Sequence, residues 1–293
     1  MRFFNKDSFW NKPIEKNCEI DPESKRLMDL LHDKTNTGFK FNLKQWTIPV
    51  YEVDVATPVY RVENKWCEKG CVKYLDIPIP DFALPDAQTD AHMVLFDRES
   101  RKVWDMLNAR RQADGSWETL TSIEYAMDGS GVLNINEYGG KVVYSVHMYG
   151  PCRASGVPAV AGLFMYDEII AGKIDHKLVF ATPYNDSKKY VYPPACYSDG
   201  LFEDGMPEGA VIQLDPELDL GQFSLKPPAL VVAKALQEYG AVNVDNAGAC
   251  AIYGEGLYGH PGRSWEGILG EYDLSSIDLR HYRVLRMNKV MER

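Results

Sequence analysis

Short runs of β-branched and aromatic residues, separated by turn-forming residues, are the feature that most limits the fold of this chain. Val, Ile, Tyr and Thr are concentrated in segments 47–53, 58–62, 72–79 and 92–96, and Pro, Gly or Asp interrupts the chain between them. Short strands at regular spacing are typical of a sandwich or a barrel. We therefore predict a mainly β protein, with an antiparallel β-sandwich of jelly-roll type.

Two pairs of these runs fit β-hairpins. The runs at 102–109 and 117–123 flank Asp114-Gly115, a residue pair that favours tight turns between strands. The runs at 241–245 and 249–253 are separated only by Asn-Ala-Gly, which predicts a second hairpin.

Three or four helices are expected at the periphery of the sandwich. Pro22 suits the first turn of a helix that ends near residue 33. Gly172 and Gly240 suit the ends of two further helices, because glycine readily adopts the left-handed conformation found there. The polar C-terminal region from Trp265 has a few apolar residues, which predict a final helix and strand.

The 293 residues contain no internal repeat, low-complexity segment or long linker. We expect an N-terminal extended segment and helix in residues 1–45, packed on a single β-sandwich domain of residues 46–293. The 32 basic and 42 acidic residues give a net charge of −10, so nucleic acid is not an expected partner. No apolar run is long enough to span a bilayer, so no membrane partner is expected.

Six cysteines are too few for a disulfide scaffold in a chain of this length. Cys67 and Cys71 could close a small loop disulfide, but their spacing does not match a structural zinc site. The N-terminus does not resemble a secretory signal, which fits either a cytoplasmic protein or a mature secreted one. The sequence leaves the redox compartment open.

Segment 90–97 alternates polar and apolar residues with the period of a strand, which places Asp90 and His92 on one face. A carboxylate beside an imidazole can fix its tautomer and raise its basicity. The pair would suit a general base, a proton shuttle or a metal ligand. The same sequence pattern also fits a structural role, in which a histidine at the end of a strand only forms a hydrogen bond with its neighbour.

Two further clusters combine acids with aromatic or amide side chains. Tyr192 and Tyr197 lie close in sequence to Asp199, and exposed tyrosines can stack on sugar rings. Asp245 and Asn246 lie at the tip of the second predicted hairpin, where they would place an acid at the mouth of the sheet. Both clusters also fit ordinary turns, because Asp and Asn favour turn conformations.

Two kinds of carbohydrate chemistry fit this set of residues. Glycoside hydrolysis needs two carboxyl groups, and the aspartates named above together with Glu255 supply candidates. Elimination from a uronate needs a base and a group that neutralises the carboxylate, which the histidine, the tyrosines, Arg153 and Asn246 could provide. Arg153 could bind a carboxylate or sulfate, and Trp104 could hold the substrate.

Four segments together resemble a largely uncharacterised family of bacterial, mostly secreted proteins. They are 8–14 (SFWNKPI), 90–97 (DAHMVLFD), 155–176 (which begins SGVPAVAGL and ends AGKIDH) and 239–248 (YGAVNVDNAG). The resemblance spans roughly residues 8–255 and implies a β-sandwich fold, an extracellular location and polysaccharide processing.

The family positions that this resemblance carries over are Asp90, His92, His176, Asp199 and Asp245. The chain departs from the family pattern at Tyr197, where a histidine is expected before Ser-Asp-Gly. A histidine-based role at that position therefore does not carry over to this chain.

We predict a carbohydrate-active enzyme that cleaves a polysaccharide by acid/base chemistry, as a glycoside hydrolase or a polysaccharide lyase. The predicted catalytic residues are Asp90, His92, Asp199 and Asp245. The predicted substrate-binding residues are Trp104, Arg153, Tyr192, Tyr197, Asn246 and Glu255. The alternative is a non-catalytic glycan-binding protein on the same fold. No cofactor is required, although a structural calcium ion or a divalent ion at His92 and Asp90 would be compatible with these residues.

Overall fold

A computed structural model describes residues 2–35, 38–66, 72–132 and 153–293. It has 31% strand and 15% helix, which confirms the prediction of a mainly β protein. In chain order the strands of these residues are β1 (Lys40–Asn42), β2 (Ile48–Val53), β3 (Val59–Asn64), β4 (Tyr74–Pro78), β5 (Met93–Asp97), β6 (Lys102–Leu107), β7 (Arg110–Arg111), β8 (Trp117–Thr119), β9 (Thr121–Ala126), β10 (Leu178–Thr182), β11 (Asn185–Val191), β12 (Met206–Glu208), β13 (Val211–Leu214), β14 (Ala241–Asn246), β15 (Ala251–Tyr253), β16 (Glu255–Gly256), β17 (Tyr282–Val284) and β18 (Val290–Glu292).

Three α-helices occur in the described part of the chain, within the predicted number. They are α1 (Ser24–Thr35), α2 (Tyr166–Ala171) and α3 (Pro227–Glu238). Gly172 ends α2 in the left-handed conformation (φ 75°), as the sequence predicts. The two prolines that open α3 occupy positions where a helix does not need their missing N–H groups.

The strands of the described residues form four sheets. The largest has the order β1-β15-β10-β14-β13-β17, and a second has the order β16-β2-β5-β6-β9. Two smaller sheets have the orders β4-β3-β8-β7 and β12-β11-β18. Each sheet mixes pairing directions: β10 is parallel to β14, β2 to β5, β3 to β8 and β11 to β12. The prediction of a purely antiparallel arrangement is therefore wrong, and the jelly-roll topology is not confirmed.

The two predicted hairpins have different outcomes. Strands β6 and β9 pair antiparallel, and the short strands β7 and β8 pair beside the turn, so the first hairpin is confirmed in outline. The second is wrong, because β10 lies between β14 and β15 and pairs with both. A turn sequence does not reveal that a distant strand inserts between the two strands it connects.

Helices α1 and α3 cover one face of the six-stranded sheet. Their buried side chains, among them Leu31 and Leu236, pack in one core with Phe180 of β10. The segment before residue 45 also supplies β1, the edge strand of this sheet. The boundary predicted at residue 45 stays a prediction.

The other face of the six-stranded sheet packs against the five-stranded sheet. Val179 and Val244 from the first sheet share a core with Val94 and Phe96 of β5. The opposite face of β5 carries Leu95, which belongs to a third core together with residues of the four-stranded sheet. Because β5 is covered on both faces, polar side chains fit best at its ends.

Candidate functional site

A cavity of about 820 Å³ lies beside the carboxyl end of β14 and the loops that precede β5 and follow β11. Its volume is in the range of small-molecule binding sites in proteins. Seven of the ten predicted site residues line it, namely Asp90, His92, Arg153, Tyr197, Asp199, Asp245 and Asn246. Residues that are distant in sequence therefore meet here, although this placement does not by itself test their roles.

Asp90 and His92 lie in the turn that leads into β5, since the strand begins at Met93. The prediction that both residues share one face of a strand is therefore wrong. Ala91 between them has a positive φ of 40°, which is not a strand conformation. They are nevertheless neighbours, with His92 Nε2 4.0 Å from Asp90 Oδ2. The acid and the imidazole are thus close, but 4.0 Å is too long for a hydrogen bond. The expected rise in the basicity of His92 is wrong, because its pKa is lowered.

His92 is buried, and its protonation is unfavourable. Burial, reinforced by the charge of Arg153, lowers the pKa of His92 to about 3. The imidazole is therefore neutral at physiological pH. Its Nδ1 atom is buried and has no hydrogen-bond partner within the described ranges. This low pKa also makes His92 a weak proton acceptor.

Asp245 is the last acidic residue of β14 and lies beside Asp199. Burial and then the Asp199 carboxylate raise the pKa of Asp245, while Arg153 opposes the shift. The pKa of Asp90 is also raised, by burial and by the carboxylates of Asp86 and Asp199. The environment thus favours retention of a proton by some of the carboxyls around this cavity.

Glu208, at the end of β12, is a further member of this carboxyl cluster. It is 0% exposed, and burial and the neighbouring Asp199 raise its pKa well above the ordinary value. Its Oε1 accepts a hydrogen bond of 3.0 Å from Asn185 Nδ2, and Asn185 Nδ2 also donates to the backbone carbonyl of Asp245. Sequence analysis missed Glu208, because a single glutamate after a proline carries no distinguishing pattern.

Buried hydrogen bonds and a close backbone contact hold the loop that contains Asp199 in place. Ser198 Oγ donates to the Asp186 carbonyl at 2.7 Å. A side chain at Gly200 would bring its Cβ within 2.3 Å of that carbonyl, so only glycine fits this close approach. Asn243 Nδ2 donates to Asn185 Oδ1 at 2.8 Å and extends the network behind the cavity.

Arg153 is almost completely enclosed, with an exposed fraction of 1%. Its Nη2 donates to the Ala159 carbonyl at 3.0 Å, and its guanidinium lies 4.6 Å from the centre of the Tyr253 ring. Its Nε and Nη1 atoms have no hydrogen-bond partner among the residues that the structure describes.

Asp105 supports the loop that contains Ala159. Its Oδ2 accepts from the backbone N–H of Ala159 at 2.7 Å, and its Oδ1 accepts from the Tyr125 hydroxyl at 2.8 Å. Burial raises the pKa of Asp105 to about 6. Asp105 therefore acts on the cavity indirectly, by holding the backbone that contacts Arg153.

Two tryptophans that sequence analysis did not select also line the cavity. Trp46 is 43% exposed and Trp66 is 38% exposed, which is unusual for so large an apolar side chain. Exposed indole rings can stack on the apolar faces of sugars. Nothing in the local sequence distinguishes them from the buried tryptophans.

The remaining predicted residues lie elsewhere. Trp104, in β6, donates a hydrogen bond from its indole nitrogen to the Glu124 carboxylate and packs in the third core. The ring of Tyr192 lies against the ammonium group of Lys289. Glu255 accepts from the Tyr166 backbone, and burial raises its pKa to about 7. None of these three is among the described residues that line the cavity.

His176, which the family resemblance carries over, is also outside the cavity lining. It pairs with Glu168 at 3.2 Å. Burial alone would lower the pKa of His176, but the Glu168 carboxylate raises it above the ordinary value. We interpret this pair as structural.

The described residues contain no group of three or more His, Cys, Asp or Glu side chains arranged to hold a metal ion. No helix in the described part of the chain is long and apolar enough to cross a membrane. Cys67 and Cys71, the proposed loop disulfide, lie outside the described ranges.

Comparisons of the chain with models of protein families, with curated proteins and with solved structures give no match. The function is therefore argued from the geometry of the cavity.

Proposed function

We propose that this protein is a carbohydrate-active enzyme that cleaves a polysaccharide by acid/base chemistry in this cavity. The observation that supports the proposal most is the carboxyl pair of Asp199 and Asp245, in which the first raises the pKa of the second. A carboxyl that retains a proton beside a second carboxyl gives a pair that can act as acid and as base or nucleophile.

Within this proposal Asp245 holds the proton and donates it to the leaving oxygen of the glycosidic bond. The Asp199 carboxylate either takes a proton from the water that attacks the anomeric carbon, or attacks this carbon itself to form a glycosyl–enzyme bond that water then cleaves. His92, with a pKa of about 3, serves as a neutral hydrogen-bonding group beside Asp90. Hydrolysis is favoured over elimination, because elimination would require a stronger base than this imidazole.

Aromatic side chains support a carbohydrate ligand. Trp46 and Trp66 present partly exposed rings to the cavity, which also contains Tyr197. The same rings would serve the alternative function, a glycan-binding protein that does not cleave its ligand. The extracellular location and the family resemblance belong to the same proposal.

The test is incubation with neutral and uronate-containing polysaccharides, followed by measurement of reducing ends and of the ultraviolet absorbance of unsaturated products. We expect new reducing ends without that absorbance. Asp199→Asn and Asp245→Asn should each lower turnover at least about 100-fold, the usual effect of losing an acid or base. Asp204→Asn is the matched control, since its side chain is 74% exposed and does not line the cavity.

Unsaturated products, lost in His92→Gln but retained in Asp199→Asn, would contradict the assignment of roles and indicate a lyase. Saturable binding of oligosaccharides that are recovered intact would contradict catalysis and favour the binding protein.

A further inference from the structure

Arg153 is the feature of the cavity that the proposed acid/base chemistry does not use. It is enclosed to 1% exposure, yet two of its three guanidinium nitrogens have no hydrogen-bond partner among the described residues. Its guanidinium forms no salt bridge among those residues, and its charge interacts with the Asp105 and Asp245 carboxyls only over a longer distance. Burial of a charge is unfavourable unless an opposite charge compensates for it.

The guanidinium is fixed in position. The Tyr253 ring lies against it at 4.6 Å, and the Ala159 carbonyl accepts a hydrogen bond from Nη2. Asp105 in turn holds the backbone N–H of Ala159. The side chain therefore keeps unpaired N–H donors in one orientation beside the cavity that it lines.

We propose that the substrate is an acidic glycan, and that Arg153 binds the carboxylate of a uronate residue in it. A planar guanidinium is well suited to a planar carboxylate, because several N–H groups can donate to its two oxygens. This inference rests on the proposed function for the cleavage step. Recognition of the carboxylate can be measured separately from cleavage.

The acidic residues of the cavity do not prevent an anionic substrate from binding. Burial and neighbouring carboxylates raise the pKa values of Asp90 and Asp245, so these two groups carry less negative charge than two free aspartates would. The positive charge of Arg153 is permanent, because the guanidinium stays protonated in proteins.

The experiment uses polygalacturonate, glucuronan and alginate, each paired with its carboxyl-reduced form, which keeps the sugar backbone but loses the charge. Binding to the wild-type protein is measured by calorimetry and cleavage by reducing ends. We expect at least one acidic polymer to bind about tenfold or more tightly than its reduced form. Arg153→Gln should remove that difference, whereas Arg101→Gln should keep it, because Arg101 is exposed and pairs with Asp128.

If Arg153→Gln does not fold, Arg153→Lys and the polymer pairs with wild-type protein still test the inference. Equal binding of the acidic and reduced polymers would overturn it, even if both are cleaved and the proposed enzyme function stands. Absence of binding to all three uronate polymers would overturn it as well. Equal binding of a sulfated polymer without uronate would overturn the preference for a carboxylate. Binding of an acidic polymer that depends on Arg153 without cleavage would support carboxylate recognition but contradict the enzyme function.

Discussion

Glu208→Gln should stabilise the protein by an amount that grows with pH. Glu208 is 0% exposed, and its pKa is well above the ordinary value of 4.5 because of burial and the neighbouring Asp199. Between the unfolded and the folded pKa, the folded state binds more protons than the unfolded state. The wild-type free energy of unfolding therefore falls as pH rises through this window.

The size of the effect follows from proton linkage. One proton taken up on folding costs about 1.4 kcal/mol of stability for each pH unit above 4.5, until the folded pKa is reached. Glutamine does not titrate, and its Oε1 can accept the hydrogen bond that Asn185 donates to Glu208. We expect nearly equal stability of the two proteins at pH 4 and a variant that becomes progressively more stable than the wild-type protein as the pH rises above 4.5.

The assay is urea denaturation at four pH values between 4 and 7, with the wild-type protein measured in parallel. Glu203→Gln is the matched control: Glu203 is exposed and its pKa is lowered by Lys188, so its pH dependence should have the opposite sign and be small. A stability difference for Glu208→Gln that does not change with pH would refute the reasoning, since it would mean that Glu208 does not retain a proton on folding. Because several carboxyls interact here, the slope describes the cluster rather than one isolated group.

Two further predictions concern the aromatic wall and the support of the arginine. Trp46→Ala and Trp66→Ala should each weaken glycan binding about fivefold, since stacking on an exposed ring contributes about 1 kcal/mol. Calorimetry measures the Kd of each variant, and an unchanged Kd would exclude the substituted tryptophan from the binding site. Asp105→Asn should lower the free energy of unfolding by about 1–3 kcal/mol, because an amide cannot replace both of the carboxylate oxygens that accept from the N–H of Ala159 and from the Tyr125 hydroxyl. Chemical denaturation measures this loss, and a change no larger than that of Asp204→Asn would argue against the role of Asp105.

The residues of the cavity that could be predicted from the sequence are those with a local pattern. Asp90 and His92 alternate with apolar residues in a segment predicted as a strand, Asp199 belongs to an Asp-Gly turn pair, and Asp245 ends a predicted strand. These signals place polar side chains at the ends of elements. They do not indicate which ends meet, since that depends on β10 lying parallel to β14 and between β14 and β15.

The protonation states could not be predicted, because they depend on burial. A histidine beside an aspartate suggests a basic imidazole, but His92 is enclosed and close to Arg153, which lowers its pKa to about 3. The sequence likewise gave no reason to select Glu208, whose properties come from its distant neighbours Asn185 and Asp199. Local patterns thus identified candidate groups, while tertiary contacts determined their chemistry.

The buried polar residues behind the cavity are best explained by function. Asn185, Glu208 and Asn243 are each 0% exposed. Asn243 Oδ1 has no hydrogen-bond partner in the described ranges, and the buried Glu208 carboxyl interacts with the carboxyl of Asp199. Both arrangements are unfavourable in a protein interior. Apolar residues at these positions would favour stability, so the fold alone does not account for them. Asn185 connects all of them to the backbone of Asp245 through hydrogen bonds. Their arrangement is consistent with a network that orients the acidic end of β14 toward a ligand and sets the proton affinity of its carboxyl.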